Sequence, residues 1–248
     1  MPKYKLTIEY DGTPYAGWQK QTDRPSVQSE IEAALLKFCG IKTEITGAGR
    51  TDAGVHAIAQ VAHIDLPKEY DPFRIMQGVN FYLFATEENR IAIIKAEVAA
   101  DDFHARFSAQ KRHYLYRIIN RRSRLALEAN RAWQIVEPLD ADAMHQAAQL
   151  LVGHHDFTSF RDSECQAKSP VKTLEKLAVE RRGSELWITA SSRSFLHHQV
   201  RIMVGTLSLV GKGKWQPDDV TKALAARDRK EGGPTAPPEG LYLTGVGY

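Results

Sequence analysis

Asp52 sits in the octapeptide Gly49-Arg50-Thr51-Asp52-Ala53-Gly54-Val55-His56, between two glycines and two residues after an arginine. Glycine tolerates positive φ and lets other backbone or a ligand come close. A carboxylate held in such a turn is able to face a cleft as a nucleophile or a general base. Arg50 is a candidate to keep it ionised and oriented, because a nearby cation favours the charged form. The same residues also make an ordinary turn between strands, with Asp52 hydrogen-bonding its own backbone.

Other side chains carry chemistry with less definite spacing. Arg201 lies in the apolar run Phe195 to Val210, beside Val200, Ile202 and Met203. A buried unpaired charge is costly, so Arg201 either reaches solvent or pairs with an acid. Tyr114 and Tyr116 share one face of a strand, where core packing is the simplest use of both. Leu243, in the last strand, reads naturally as core. Lys111, Arg112, Arg117, Arg121, Arg122 and Arg124 fall in one short region. Such a cluster suits a phosphate-binding stripe or a solvated face. Lys20 and Arg24, in an early loop, are further candidates for phosphate contacts. His154-His155 and His197-His198 look like metal-ligand tokens. Adjacent histidines on one element usually point apart, and neither pair has the ligand count or spacing of a metal site. No metal is expected.

These residues must be positioned by strands and helices that the pattern outlines. Lys3 to Tyr10 alternates as a strand, with Tyr4, Leu6 and Ile8 on one face. The Gly- and Pro-containing loop from Asp11 to Pro25 is long enough to be functional rather than a connector. Ser26 is a helix N-cap, Val27, Ile31, Leu35 and Phe38 form an apolar stripe, and Gly40 stops the helix. A strand near Thr43 to Ala48 leads into the Asp52 turn, and Val55 to Leu66 leaves it. Residues 71 to 81 read as a short helix and Ile91 to Ala99 as a strand. Tyr114 to Asn120 is another strand. Asp140 caps a helix with the stripe Met144, Ala147, Ala148 and Leu151, ending at Gly153. Val171 to Arg181 and Glu185 to Ala190 pair as a hairpin around Gly183. Phe195 to Val210 is an apolar helix, and Pro217 opens another through Ala226. Gly240 to Tyr248 returns as a strand. The one loose segment is Lys230 to Glu239. The mixture predicts an α+β protein with a mostly antiparallel sheet.

Composition sets the outer bounds. The chain has 248 residues, 43% apolar and 25% charged, ordinary for a globular protein. No apolar run approaches the roughly 20 residues that span a bilayer. Met1-Pro2-Lys3-Tyr4 goes straight into a strand without an apolar signal segment, so the cytoplasm is the expected location. Cys39 and Cys165 are far apart and belong to no Cys-x-x-Cys pair, which argues against a disulfide framework or zinc. There are 33 Lys and Arg against 30 Asp and Glu, an excess too small to imply nucleic-acid binding by itself.

The octapeptide resembles the signature of the tRNA pseudouridine synthase A family, and further blocks follow in order. Glu9-Tyr10-Asp11-Gly12 with Gly17-Trp18-Gln19 is similar to its opening strand and loop, and Ser26-Val27-Gln28 to the start of its first helix. Asp101 to Ala109, with Arg112-His113-Tyr114-Leu115-Tyr116 after it, resembles a second block. Phe157 to Phe160 resembles a third, and Phe195 to Arg201 with Gly205 a fourth. Glu239 to Leu243 closes the series. Gln199 stands two positions before Arg201, where the family pattern has methionine.

The resemblance implies two RNA-recognition-like subdomains forming one extended, mostly antiparallel sheet flanked by helices, with a central cleft. Residues 1–105 would carry the aspartate and residues 106–248 would complete the cleft. It implies isomerisation of uridine to pseudouridine at tRNA positions 38, 39 and 40, with no cofactor. Asp52 would be the catalytic carboxylate, Arg201 its partner, Tyr114 the ring stacked on the target base and Leu243 an apolar contact to it. The partners implied are tRNA and a second copy of the chain. A catalytically inactive RNA-binding module and a glycosylase-like hydrolase are the alternatives. The intact set Arg50, Asp52, Tyr114 and Arg201 argues against the first, and release of free uracil would mark the second.

Overall fold

The computed structural model covers residues 1–248. Its first part runs β1 (Lys3–Tyr10), α1 (Val27–Cys39), β2 (Thr46–Gly47), β3 (His56–Asp65), α2 (Pro72–Leu83) and β4 (Ile91–Val98). Next come β5 (Lys111–Asn120), β6 (Trp133–Ile135), α3 (Ala141–Gln149) and β7 (Gly153–Asp156). The last part runs β8 (Val171–Arg182), β9 (Glu185–Ser192), α4 (Gln199–Gly211), α5 (Pro217–Ala226) and β10 (Leu241–Gly247). This is an α+β protein with mostly antiparallel pairing. No helix is long and apolar enough to cross a membrane.

The chain folds into two compact units. One comprises Met1–Gln110 with Tyr242–Tyr248, the other Lys111–Leu241. In the first, the strand order is β4-β1-β3-β10, with β2 added to β3. β1 pairs antiparallel with β3 and β4, whereas β10 lies parallel to β3, Tyr242 opposite His56 and Leu243 opposite Ala57. Alternation places Tyr4, Leu6, Ile8 and Tyr10 in the core. Ser26 and Ser29 form a reciprocal capping box at the start of α1, and Gly40, at φ 75°, ends it in the left-handed region. Asp71 caps α2, with Pro72 following. Gly78 lets the two helices meet, since a Cβ there would lie 2.3 Å from the Phe38 ring. The expected strand Thr43 to Ala48 shrinks to Thr46–Gly47. Thr43 and Ile45 are buried instead as irregular backbone.

His63, on β3, shows how the first unit holds a loop against its sheet. Its Nδ1 accepts the Ala105 N–H at 3.2 Å, and the Tyr248 hydroxyl donates to Ala105 O at 2.8 Å. Burial lowers the His63 pKa, with His104 and Lys3 adding to the effect and Asp65 opposing it. The folded state therefore favours the neutral ring, and the unfolded chain takes up a proton first. Stability is complete above the unfolded value of about 6.5 and is lost as pH falls below it. Protonation at Nδ1 also removes the acceptor for Ala105. The exchange protection factor of the Ala105 amide should hold above about pH 6.5 and fall as the pH drops below it. Protection that stays flat over that range would show that the ring is not this amide's acceptor.

In the second unit the order is β5-β9-β8-β7, with β6 parallel to β5. β8 and β9 turn at Gly183, whose φ of 62° suits a tight hairpin. α4 is buried on nearly every side, as its apolar sequence requires. It is shorter at its start than the expected Phe195 to Val210. His198 adopts φ 60°, a left-handed conformation that no helix interior contains, so the helix begins at Gln199. Lys230 to Glu239, read as loose from its Gly and Pro content, is fastened to α4. The Gly233 N–H donates to Thr206 Oγ1 at 3.0 Å, and the Ala236 N–H to Arg201 O at 3.1 Å. A Cβ on Gly205 would lie 1.8 Å from Pro234 O, so only glycine admits this segment.

Candidate active site

The backbone around Asp52 is anchored on both sides. Upstream, the Ala48 N–H donates to Val61 O at 2.7 Å and Gln60 Nε2 donates to Gly49 O at 2.7 Å. Thr51 Oγ1 and the Tyr10 hydroxyl are 2.8 Å apart in a buried hydrogen bond. Downstream, the Val55 N–H closes a turn on Asp52 O at 3.1 Å, with Gly54 at φ 77°. Asp52 is half-buried at the tip of this turn, and Arg50 is exposed.

The loop Asp11 to Pro25 wraps the same turn. The Trp18 N–H donates to Thr51 O at 3.0 Å. Gly17, at φ 97°, passes so close that a Cβ would lie 2.5 Å from Thr51 O. A Cβ on Gly12 would lie 2.0 Å from Val55 O. The Gly12 N–H donates to His56 Nδ1 at 3.0 Å, and His56 stacks on Tyr242 with ring centroids 4.7 Å apart. Asp11 Oδ1 lies 3.2 Å from that nitrogen and forms an ion pair with it when the ring is protonated. Two segments some forty residues apart in sequence thus interlock, and the glycines are what permit it.

Gln60 was not among the sequence candidates. Its signal was there: one amide in the otherwise apolar centre of His56–Asp65. The side chain has no exposed surface, and Oε1 has no hydrogen-bond partner while Nε2 holds Gly49 O. An unsatisfied buried acceptor costs about 1–3 kcal/mol, which is tolerable where the clamp serves the turn. Gln60→Leu removes both the clamp and the orphan oxygen. It should leave the melting temperature within a few degrees and lower kcat about tenfold, because Gly49 is freed next to the turn. Wild-type kcat in a normally folded variant would show that the clamp is dispensable.

The second unit holds most of the remaining candidates. Tyr114, opposite Ala190 on β9, is half-buried with the Phe195 ring edge-on at 5.2 Å. Tyr116, on the same strand face, is fully buried and donates to Pro237 O at 2.7 Å. Burial pushes its phenol well above the ordinary value. Arg201 is half-buried on α4, and its Nε donates to Ala236 O at 2.8 Å. Gln199, where the family pattern has methionine, accepts the Leu196 N–H at 2.8 Å and shapes the turn before α4. In that turn, His198 Nδ1 and Asp162 Oδ2 are 2.7 Å apart. Asp162 has a lowered pKa, chiefly because it accepts the Glu164 N–H, with His198 adding to the effect against burial. Leu243, in the first unit, has no exposed surface and packs as core. His154 and His155 bond to Thr173 Oγ1 and Val152 O.

Several of the basic residues have protein partners. Lys111 pairs with Glu175, and Arg112 donates to Arg193 O. Arg117 bridges Glu128 at 2.8 Å and Glu185 at 2.9 Å, which commits it to the fold. Lys20 pairs with Glu32 at 3.1 Å. Arg121 donates to Ser123 O, and Arg24, Arg121, Arg122 and Arg124 are exposed. The Lys111–Glu175 pair is exposed on both sides and contributes little, whereas Glu32 is largely buried beneath Lys20.

Residues 6–108 and 147–248 match the model of a family described as tRNA pseudouridine synthase. The chain belongs to that family. The family match spans the Asp52 turn, Arg201 and Leu243. Among relatives, the chain is 59% identical to tRNA pseudouridine synthase A of Rhodopseudomonas palustris (strain BisA53), over all of both chains. It is 57% identical to the protein of that name from Bradyrhizobium sp. (strain BTAi1 / ATCC BAA-1182), again over all of both. Against the Brucella ovis protein of that name it is 57% identical, over its whole length and 98% of the relative.

Proposed function

We propose that the chain isomerises uridine to pseudouridine in tRNA, at positions 38, 39 and 40 of the anticodon stem-loop. The observation that carries this reading is the Asp52 turn: a half-buried carboxylate whose neighbours are clamped by Tyr10, Trp18 and Gln60. Such fixed geometry suits a group that must meet one atom of an extruded nucleotide. Asp52 acts on the ribose as nucleophile or base. The bond from C1′ to N1 breaks, the uracil turns, and a bond forms from C1′ to C5. C5 gives up its proton and N1 gains one, so no atom enters or leaves, and no cofactor is called for.

Arg50 and Arg201 serve as cations that keep the carboxylate ionised. Tyr114, steadied edge-on by Phe195, offers its ring to the detached base. Lys20, Arg24, Lys111, Arg112, Arg121 and Arg122 contact phosphates. The chain works in the cytoplasm as a homodimer. Incubating unmodified tRNA with the purified protein and analysing its nucleosides tests this reading. Pseudouridine at the three positions supports it. Free uracil would mean hydrolysis, and unchanged uridine would mean binding alone.

A further inference from the structure

The block Asp101 to Ala109 has no part in the chemistry above, yet its backbone is held at every residue of its centre. The Phe103 N–H donates to Ala100 O at 3.0 Å, and the His104 N–H to Ser108 Oγ at 3.0 Å. The Arg106 and Phe107 N–H groups both reach His104 Nδ1, at 3.2 Å and 3.3 Å. The Ser108 N–H returns to His104 O at 2.9 Å, and Ala105 is fastened through its N–H and its carbonyl to His63 and Tyr248. Phe103 turns inward against the Tyr248 ring at 4.9 Å. Phe107 turns outward and is 74% exposed. The His104 ring lies 4.3 Å from it, and the exposed Arg106 guanidinium stands 5.8 Å from its centroid.

An apolar ring held in water by a rigid loop adds little to the core. Rigid display does lower the entropic cost of binding something. We propose that Phe107 is a stacking platform for one unpaired nucleobase of the tRNA, with Arg106 meeting the adjoining phosphate. This rests on the tRNA reading above. The chemistry favours a base over a protein partner. One ring beside one cation matches one nucleotide, because aromatic stacking tolerates any base and arginine pairs with phosphate. A stable protein interface needs on the order of 1,000 Å² with several apolar anchors. The other strongly exposed phenylalanines, Phe73, Phe81 and Phe84, lie on α2 or at its end rather than on this loop.

The test measures affinity for full-length tRNA at fixed salt, with wild type, Phe107→Ala, Phe107→Leu and Phe107→Trp. Ala and Leu should each weaken binding about 5- to 100-fold, and Trp should restore it. The salt slope should not change in these three variants, whereas Arg106→Gln should lower it by about one ion. Folding should be unaffected, which thermal unfolding checks. Leu binding as tightly as wild type would overturn the proposal, since stacking needs a ring. So would sedimentation showing that Phe107→Ala loses self-association while keeping its tRNA affinity, because a second copy would then be the occupant. Nucleoside analysis of wild type on the same tRNA separates the two readings. Binding that depends on Phe107 without pseudouridine would sink the proposed reaction and leave the platform standing.

Discussion

Asp52→Asn should lower single-turnover pseudouridine formation by roughly 10⁴-fold or more, the scale seen when a reaction's essential group is removed. The fold should survive. The turn is shaped by backbone and by neighbouring side chains: Gln60 holds Gly49, Tyr10 and Trp18 hold Thr51, and Val55 bonds the Asp52 carbonyl. Asparagine has the same shape and keeps that carbonyl. Affinity for tRNA should stay near wild type, because phosphate contacts dominate binding. The reaction loses its nucleophile or base, since an amide is neither at neutral pH. Turnover within tenfold of wild type would remove Asp52 from the mechanism.

Arg201→Leu should lose about 10²- to 10³-fold in kcat and little in stability. Its backbone bond with Ala236 survives substitution, while the Nε bond to Ala236 O is lost. One such hydrogen bond is worth about 1 kcal/mol, which for a chain of this size means a melting shift of about 2–4 °C. Leucine suits the neighbouring α4 side chains, which are apolar. Arg201→Lys keeps the charge and should recover part of the rate while losing the forked geometry. A large melting shift together with normal turnover in the protein that stays folded would make Arg201 structural only.

Punctuated elements were legible in the sequence. Ser26 and Gly40 bracket α1, Asp140 caps α3, and Pro217 opens α5, because caps act locally and leave residue-specific marks. The hairpin at Gly183 was visible for the same reason. Trp133–Ile135 and Gly153–Asp156 were missed because three or four residues cannot display an alternation. The start of α4 was set too early, since apolar residues continue through Phe195 and Leu196. What ends the helix there is one backbone angle at His198 and one bond from Leu196 to Gln199. At the site, the glycine-bounded aspartate was visible and its fastening was not. Gly12, Gly17 and Gln60 act on the turn across long stretches of sequence, and no periodicity encodes that. Tyr114 and Tyr116 have the same parity, so alternation could not tell the half-buried ring from the fully buried one.

The parallel pairing of β10 with β3 has a consequence for how the protein is made. His56 and Ala57 leave the ribosome early, but Tyr242 and Leu243, which lie opposite them, come about three quarters of the chain later. At the usual pace of translation that is a delay of roughly 10–40 s. Throughout it, the start of β3 at His56 and Ala57 lacks its β10 partner, and the ring that stacks on His56 is missing. The start of β3 therefore gains its last partner at the end, although it is synthesised among the first. A nascent chain stalled before Tyr242 would present an unfinished edge beside the Asp52 turn. Activity thus reports on completed synthesis as well as on chemistry.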